Sequence, residues 1–239
     1  MRRWGFALLL APLVLSASAS AATEPRVPGS ERMSNEHTRT HWAHAKRAAP
    51  IRRLPVPTAR TVARVRKLTE DGLPEVYVVL RRWLSPYGQT WLQVRIPMRP
   101  NGRRGWVRAA ALDPMKLVRT RLVVDRGRLR ATLTRSGKRI WRSRIGVGAP
   151  GTPTPAGRFW IRERIQVQDP NGIYGPWAFG TSAYSILSDW PGGGVIGIHG
   201  TNQPYLIPGR PSHGCIRVPN VRISRLARLM PIGTPVRIR

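Results

Sequence analysis

The sequence contains a single cysteine, Cys215, among 239 residues, and this scarcity excludes an internal disulfide. Acidic residues are also few: 11 stand against 41 lysines and arginines, which gives a formal net charge of +30. Lysine is rare too, so nearly all of the positive charge is arginine. Such a charge often indicates a nucleic-acid partner. However, the arginines are spread along the chain and no basic helix or zinc-finger spacing occurs, which argues against nucleic acid.

Long apolar runs are equally scarce, and the run at residues 4–15 is too short for a confident membrane span. It follows Arg2 and Arg3 and precedes Ala-x-Ala spacings that end near Ala21. This pattern predicts a secretory signal peptide over residues 1–22, with an uncleaved anchor as the alternative. We therefore expect export to the cell wall or periplasm of a bacterium. There, anionic wall polymers and lipid headgroups would attract the positive charge in a salt-dependent way.

Residues 23–58 are rich in Pro, Ala, Arg and Thr and have no sustained apolar period, which predicts a flexible linker. Within them, "HTRTHWAH" places His37, His41 and His44 at helical spacing. No carboxylate or thiolate partner accompanies these histidines, so we expect no metal site.

Residues 59–114 contain several short β-type runs separated by Gly, Pro, Ser and Asn. Trp91, Val94 and Ile96 can supply an inward face, and "RPNG" at 99–102 predicts a turn. This pattern predicts a small β-barrel. The order "WLQV", "RPNG", "GWV" resembles bacterial Src-homology-like domains, which often precede wall-acting catalytic domains. A structural spacer without its own ligand is the alternative.

Residues 115–239 predict a second, β-rich domain, so the fold class is mainly β. "LRATLTR" alternates apolar and polar residues, and the Ser136-Gly137 turn after it predicts a hairpin. The segment "VIGI" is a short apolar strand that ends at His199. Near the C terminus, apolar residues at helical spacing predict a short helix with Asn220 as its N-cap and a stop at Pro231.

Cys215 lies two residues after His213 and sixteen after His199. A thiolate is the nucleophile, and a neighbouring imidazole can take the proton from the thiol. Gly214 removes a Cβ beside the sulfur, so the N–H groups of Gly214 and Cys215 could donate to a developing oxyanion. The alternatives are a buried structural cysteine, and a metal site of His199, His213 and Cys215, which lacks an evident fourth ligand.

The string "IHGTNQP" followed by "SHGCIRVPN" resembles the L,D-transpeptidase (YkuD-like) catalytic domain. "TPTPAGRFWI", "YGPWAFG" and "PIGTPVRI" extend the resemblance over residues 115–239. In that family the cysteine attacks the third residue of a peptidoglycan stem peptide and expels the terminal D-alanine. The side-chain amine of a second stem then resolves the acyl-enzyme and forms a 3→3 cross-link.

The resemblance implies a role for each residue of the site, and it implies no metal or organic cofactor. Cys215 is the nucleophile, His199 is the general acid/base, and the carbonyl of Gly200 fixes the tautomer of the His199 ring. The remaining residues would shape the site or bind substrate: Ser212 and His213 around the cysteine, Gly214 at the oxyanion, and Arg217 at a substrate carboxylate.

Two other functions stay open at this level. The same acyl-enzyme could be resolved by water or by a protein amine, which would make an L,D-carboxypeptidase or an enzyme that anchors proteins to the wall. A non-catalytic wall-binding protein, using its charge and its small barrel, is the alternative from a different class.

Overall fold

The computed structural model describes residues 27–189 and 191–239, so the predicted signal peptide lies outside the described residues. The described chain folds into 19 strands, one α-helix and three short 3-10 helices, which confirms the mainly β class. None of its helices is long and apolar enough to cross a membrane.

The first unit is an eight-stranded sheet with the order β4-β3-β7-β6-β5-β2-β8, in which β1 also pairs with β5. Val94 and Ile96 are buried in its apolar core, as predicted, whereas Trp91 is buried outside that core cluster. The resemblance to Src-homology-like domains stays a prediction. The strands are β1 (Glu31–Arg32), β2 (Thr40–His44), β3 (Pro50–Arg52), β4 (Thr61–Arg64), β5 (Val76–Leu84), β6 (Thr90–Arg95), β7 (Arg104–Arg108) and β8 (Lys116–Val118).

The prediction of a flexible linker over residues 23–58 is wrong for its described part, because β1, β2 and β3 all lie within it. β2 pairs with β5 on one side and β8 on the other, and Trp42 and Ala43 are buried. His41 and His44 do not lie on a helix, because residues 40–44 form the strand β2. His41 Nδ1 lies 2.8 Å from the Met33 carbonyl oxygen. The short, Arg-rich strands carry too few apolar residues to show a period.

The second unit packs two sheets and one helix around a separate apolar core. One sheet has the order β11-β10-β9-β19-β13 and the other β14-β15-β16-β18-β12-β17. Its strands are β9 (Thr120–Asp125), β10 (Arg130–Arg135), β11 (Lys138–Arg144), β12 (Gly146–Gly148), β13 (Gly157–Trp160), β14 (Ile165–Gln166), β15 (Trp177–Tyr184), β16 (Val195–His199), β17 (Gly209–Ser212), β18 (Ile216–Arg217) and β19 (Pro235–Ile238).

The helix α1 (Asn220–Leu229) ends before Pro231, as predicted, and buries Ile223, Leu226 and Ala227. The N-cap prediction is wrong, because Asn220 is the first helical residue and no side chain caps the helix. Its Oδ1 instead accepts a hydrogen bond from the Thr201 N–H at 2.8 Å. The amide therefore ties the start of the helix to the segment that follows His199.

A buried ionic cluster joins the two units. Arg162, 1 % exposed, donates to Glu75 through Nε at 2.8 Å and through Nη2 at 2.6 Å. Its Nη2 also contacts Glu70 at 2.7 Å, and Arg66 contacts both carboxylates at 3.1 Å. Tyr184, the last residue of β15, donates to Glu70 at 2.7 Å. The first unit is therefore hydrogen-bonded to the end of β15, the strand that lies beside β16 in the second unit.

Candidate active site

Strand register brings Cys215 beside the end of β16. β16 and β18 are parallel neighbours, with Ile198 opposite Ile216, so Cys215, just before β18, lies next to Gly197. The Gly197 N–H donates to Cys215 Sγ at 3.4 Å. A Cβ on Gly197 would lie 3.7 Å from both Sγ and His199 Cδ2, the carbon bonded to Nε2. The thiol and the imidazole edge therefore both pack against Gly197.

The orientation of the His199 ring is fixed by backbone and by an aromatic neighbour. Nδ1 lies 2.6 Å from the Gly200 carbonyl oxygen, and a carbonyl only accepts, so Nδ1 carries the proton. Nε2 is then the acceptor. The ring of Tyr174 packs edge-on at 5.0 Å between centroids. The resemblance implied the contact with Gly200, and the catalytic role of these groups stays a prediction.

Electrostatics keep both reacting groups uncharged at neutral pH. Burial lowers the pKa of His199 to about 4; the Gly200 carbonyl opposes this shift and the charge of Arg217 adds to it. Burial also raises the pKa of Cys215, although the Gly197 N–H and Arg217 act in the opposite direction. The pair is therefore a thiol beside a neutral imidazole.

Ser212 and Gly214 shape the turn that presents Cys215. The Ser212 hydroxyl donates to the Cys215 carbonyl at 2.6 Å and accepts from the Gly214 N–H at 3.2 Å. Gly214 has φ +123°, and a Cβ there would lie 2.7 Å from Ile196 Cδ1, so only glycine fits. Because its N–H is bonded to Ser212, the prediction of Gly214 as an oxyanion donor does not fit this structure. The Cys215 N–H stays the predicted donor.

Thr154 supports the same turn, and the sequence reasoning missed it. Its hydroxyl donates to the Gly214 carbonyl at 2.7 Å and accepts from the Gly148 N–H at 2.9 Å. The nearby Thr152 hydroxyl donates to the Ser212 carbonyl at 3.3 Å. The string "TPTPAG" was quoted for the resemblance, but nothing in its spacing indicates a contact sixty residues away.

The two remaining predicted residues differ in their surroundings. Arg217 lies opposite His199 in the parallel register, and its Nη1 donates to Gln203 at 3.0 Å. Its Nε is buried and, within the described chain, makes no hydrogen bond. The side chain of His213 is exposed, whereas His199 is 5 % exposed. Their predicted roles at a substrate carboxylate and around the cysteine stay predictions.

The first unit also contacts a wall of this site. Asn101, in the "RPNG" turn, donates to the Tyr184 carbonyl at 2.8 Å and accepts from the Tyr184 N–H at 3.0 Å. Arg99 donates to the Ser185 carbonyl at 3.1 Å. Ser185 Oγ would lie 3.6 Å from a Cβ on Gly214. The turn therefore holds a segment that packs beside the residue before Cys215.

Known proteins resemble the half of the chain that carries this site. Two curated relatives, the putative L,D-transpeptidases YkuD of Bacillus subtilis and Bacillus licheniformis, are each 37% identical over 94 residues. The match covers 39% of this chain and 50% of either relative, so the chain spans about half the length of the curated relatives it matches.

Solved structures give a weaker likeness. An L,D-transpeptidase mutant from Enterococcus faecium is 26% identical, with a TM-score of 0.40 and coverage of 50% of this chain and 49% of that chain. L,D-transpeptidase 3 from Mycobacterium tuberculosis, with a faropenem-derived adduct, is 14% identical, with a TM-score of 0.41 and coverage of 63% and 91%.

The family model for the L,D-transpeptidase catalytic domain, YkuD, matches residues 119–238, which is half of the chain. These residues include the thiol, the imidazole and the turns that hold them. The chain therefore belongs to the L,D-transpeptidase catalytic domain family.

Proposed function

We propose that this protein is an exported cysteine transpeptidase that forms 3→3 cross-links between peptidoglycan stem peptides. The observation that carries the proposal is that Cys215 Sγ and His199 Cδ2 both lie 3.7 Å from the position that a Cβ on Gly197 would take, with Nδ1 of His199 bonded to the Gly200 carbonyl. A lone thiol beside an oriented imidazole suits acyl transfer through a thioester.

In the first half-reaction, Sγ attacks the carbonyl carbon of the third stem residue while His199 Nε2 takes the thiol proton. The C–S bond forms, and the Cys215 N–H stabilises the oxyanion; one such donor is typically worth about 3 kcal/mol. The amide C–N bond then breaks, and the imidazolium returns the proton to the departing D-alanine amine. Because both groups start neutral, no ion pair has to be dismantled first.

In the second half-reaction, the side-chain amine of another stem attacks the thioester. His199 takes a proton from this amine, the C–S bond breaks, and the sulfur regains its proton. If water attacks instead, the product is a shortened stem peptide, and if a protein amine attacks, the product is a wall-anchored protein. The acceptor decides among these reactions, and cross-linking is the outcome the family resemblance favours.

The test of the acyl-enzyme is intact-protein mass spectrometry after incubation with imipenem, a carbapenem. We expect one drug-sized addition to the wild type and none to Cys215→Ala, which has no nucleophile at this position. Labelling that persists in Cys215→Ala would refute the thioester. An effect on the wall that survives the substitution would favour a non-catalytic binder. Incubation with tetrapeptide muropeptides then separates cross-linked dimers from shortened monomers.

A further inference from the structure

The outer face of the five-stranded sheet is densely cationic. Alternate residues of β9, β10 and β19, among them Leu122, Leu133 and Val236, point into the core. The residues between them point outward. Six of the outward side chains on the five strands are arginines, and we call this surface the arginine face: Arg121, Arg130, Arg142, Arg144, Arg158 and Arg237.

The register places like charges directly opposite each other on this face. Arg130 is paired with Arg144, and Arg158 is paired with Arg237. Like charges at directly opposed positions destabilise a sheet. A slip of one residue would bury the arginines, so the inner face fixes this register. The free protein therefore maintains an arrangement that an anionic ligand would relieve.

Acidic residues hardly offset this charge. Asp125 is the only acidic residue on these five strands; it lies opposite Arg130 in the register with β10, and Arg239 contacts it at 3.3 Å. Thr132, Thr134 and Val123 occupy outward positions between the arginines. Interfacial membrane binding relies on large apolar or aromatic side chains beside the cations, and these three residues are not of that kind. The composition therefore favours a soluble polyanion over a lipid surface.

Near one end of the arginine face, Arg121, Arg158 and Arg237 line a cavity of about 80 Å³. Its other lining residues are Glu36, His37, Phe159, Pro235 and Val236. The Glu36 carboxylate is held by Arg95 at 2.7 and 2.8 Å, and it lies 3.7 Å from Arg158. Arg121 donates to His37 Nδ1 at 2.8 Å.

The charges around this cavity act on one another. Burial and then the charges of Arg158 and Arg237 lower the pKa of Arg121. The cavity is therefore electropositive although one carboxylate lies at its edge. A phosphate group carries the charge that complements these arginines.

Arginine is suited to phosphate because its planar fork donates two parallel hydrogen bonds. Neighbouring strands lie about 4.8 Å apart and outward residues of one strand about 6.8 Å apart, so guanidinium groups recur at short intervals across the sheet. We propose that the arginine face binds a linear phosphate polyanion and that the cavity of Arg121, Arg158 and Arg237 seats one of its phosphate groups.

The test measures binding of inorganic polyphosphate to the full chain over a range of salt concentrations. One variant carries Arg142→Gln, Arg144→Gln and Arg158→Gln on the face. Its matched control carries Arg53→Gln, Arg60→Gln and Arg103→Gln, three exposed arginines of the first unit. We expect the face variant to bind at least about tenfold more weakly with a shallower salt dependence, and the control to lose less than about threefold. Equal losses would overturn the proposal.

Thermal unfolding gives an independent readout. Arg144→Thr should raise the melting temperature of the free protein, because it removes an opposed like charge, and should reduce the increase caused by polyphosphate. An unchanged response to polyphosphate would contradict the proposal, as would tighter binding to phosphatidylglycerol vesicles at equal phosphate concentration. Imipenem labelling of Cys215 is run on the same samples, so a failure of the proposed enzyme is distinguished from a failure of this surface.

Discussion

Two buried polar regions of this protein handle charge in opposite ways. At the junction of the units, Arg162 and Glu75 are both buried and lie 2.6 Å apart, so each ion has a counter-ion. At the candidate active site, Cys215 and His199 have backbone groups for partners, and the charge that acts on both, among the residues that the structure describes, is the cationic Arg217. Burial with a counter-ion preserves ions, whereas burial without one favours neutral forms.

The pKa values express the same difference. Burial raises the pKa of Glu70, yet Arg162 and Tyr184 outweigh it and hold the value at about 2. For His199 nothing outweighs burial, and its pKa falls to about 4. The junction is thus a contact between ions, while the thiol and the imidazole of the candidate site are neutral.

The largest expected effect is on catalysis. His199→Gln should slow acylation of Cys215 by imipenem about a thousandfold, because a general base is typically worth that much. The wild-type rate should stay level between pH 7 and 5, since the imidazole stays neutral above its pKa of about 4. His37→Gln, at an exposed histidine of the first unit, is the matched control and should have a much smaller effect. A wild-type rate that falls through pH 6.5 would contradict the neutral pair.

The second prediction breaks the junction. Glu75→Leu removes the fully buried carboxylate that Arg162 and Arg66 share and leaves them only the half-buried Glu70. Because Arg162 then lacks its buried counter-ion, we expect the free energy of unfolding to fall by about 3 kcal/mol. The double variant Glu75→Leu with Arg162→Met should recover part of this loss, because no buried ion is stranded. Denaturant unfolding measures both. If the double variant were less stable than the single one, stranded charge would not be the cause.

The third prediction separates the two regions by pH. The unfolded chain protonates His199 near pH 6.5 and the folded chain near 4, so stability should fall by about 3 kcal/mol as pH drops through that window. Glu70, with its lowered pKa, loses its contribution only between about pH 4.5 and 2. His199→Gln should abolish the first loss and keep the second. An unchanged loss above pH 4 in this variant would assign it to another group.

The sequence predicted the second unit better than the first. In residues 115–239 apolar and polar residues alternate over long strands, so the β-rich fold and the single helix were readable. In residues 23–58, the short strands β1, β2 and β3 pair with distant β5 or β7 and carry many polar residues. Their stability comes from those partners, and a local window does not contain them.

Within the site, the sequence predicted which residue types take part, but it did not predict their contacts. Asn220 has the residue type of an N-cap, yet its amide bonds to Thr201 because the helix start lies beside the segment after His199. Gly214 was expected to donate to an oxyanion, yet Ser212 takes its N–H. Each preference was correct for the isolated segment and was overruled by a neighbour from elsewhere in the chain.

The sequence by itself determined the chemistry available: one thiol, the histidines near it, and the glycines that suit close packing. Tertiary structure decided which histidine is buried beside the sulfur, through the parallel pairing of β16 with β18. It also decided that both groups are uncharged and that arginines from separate strands share one face. The physical reason is that desolvation and strand register depend on residues far apart in the chain, which no local pattern specifies.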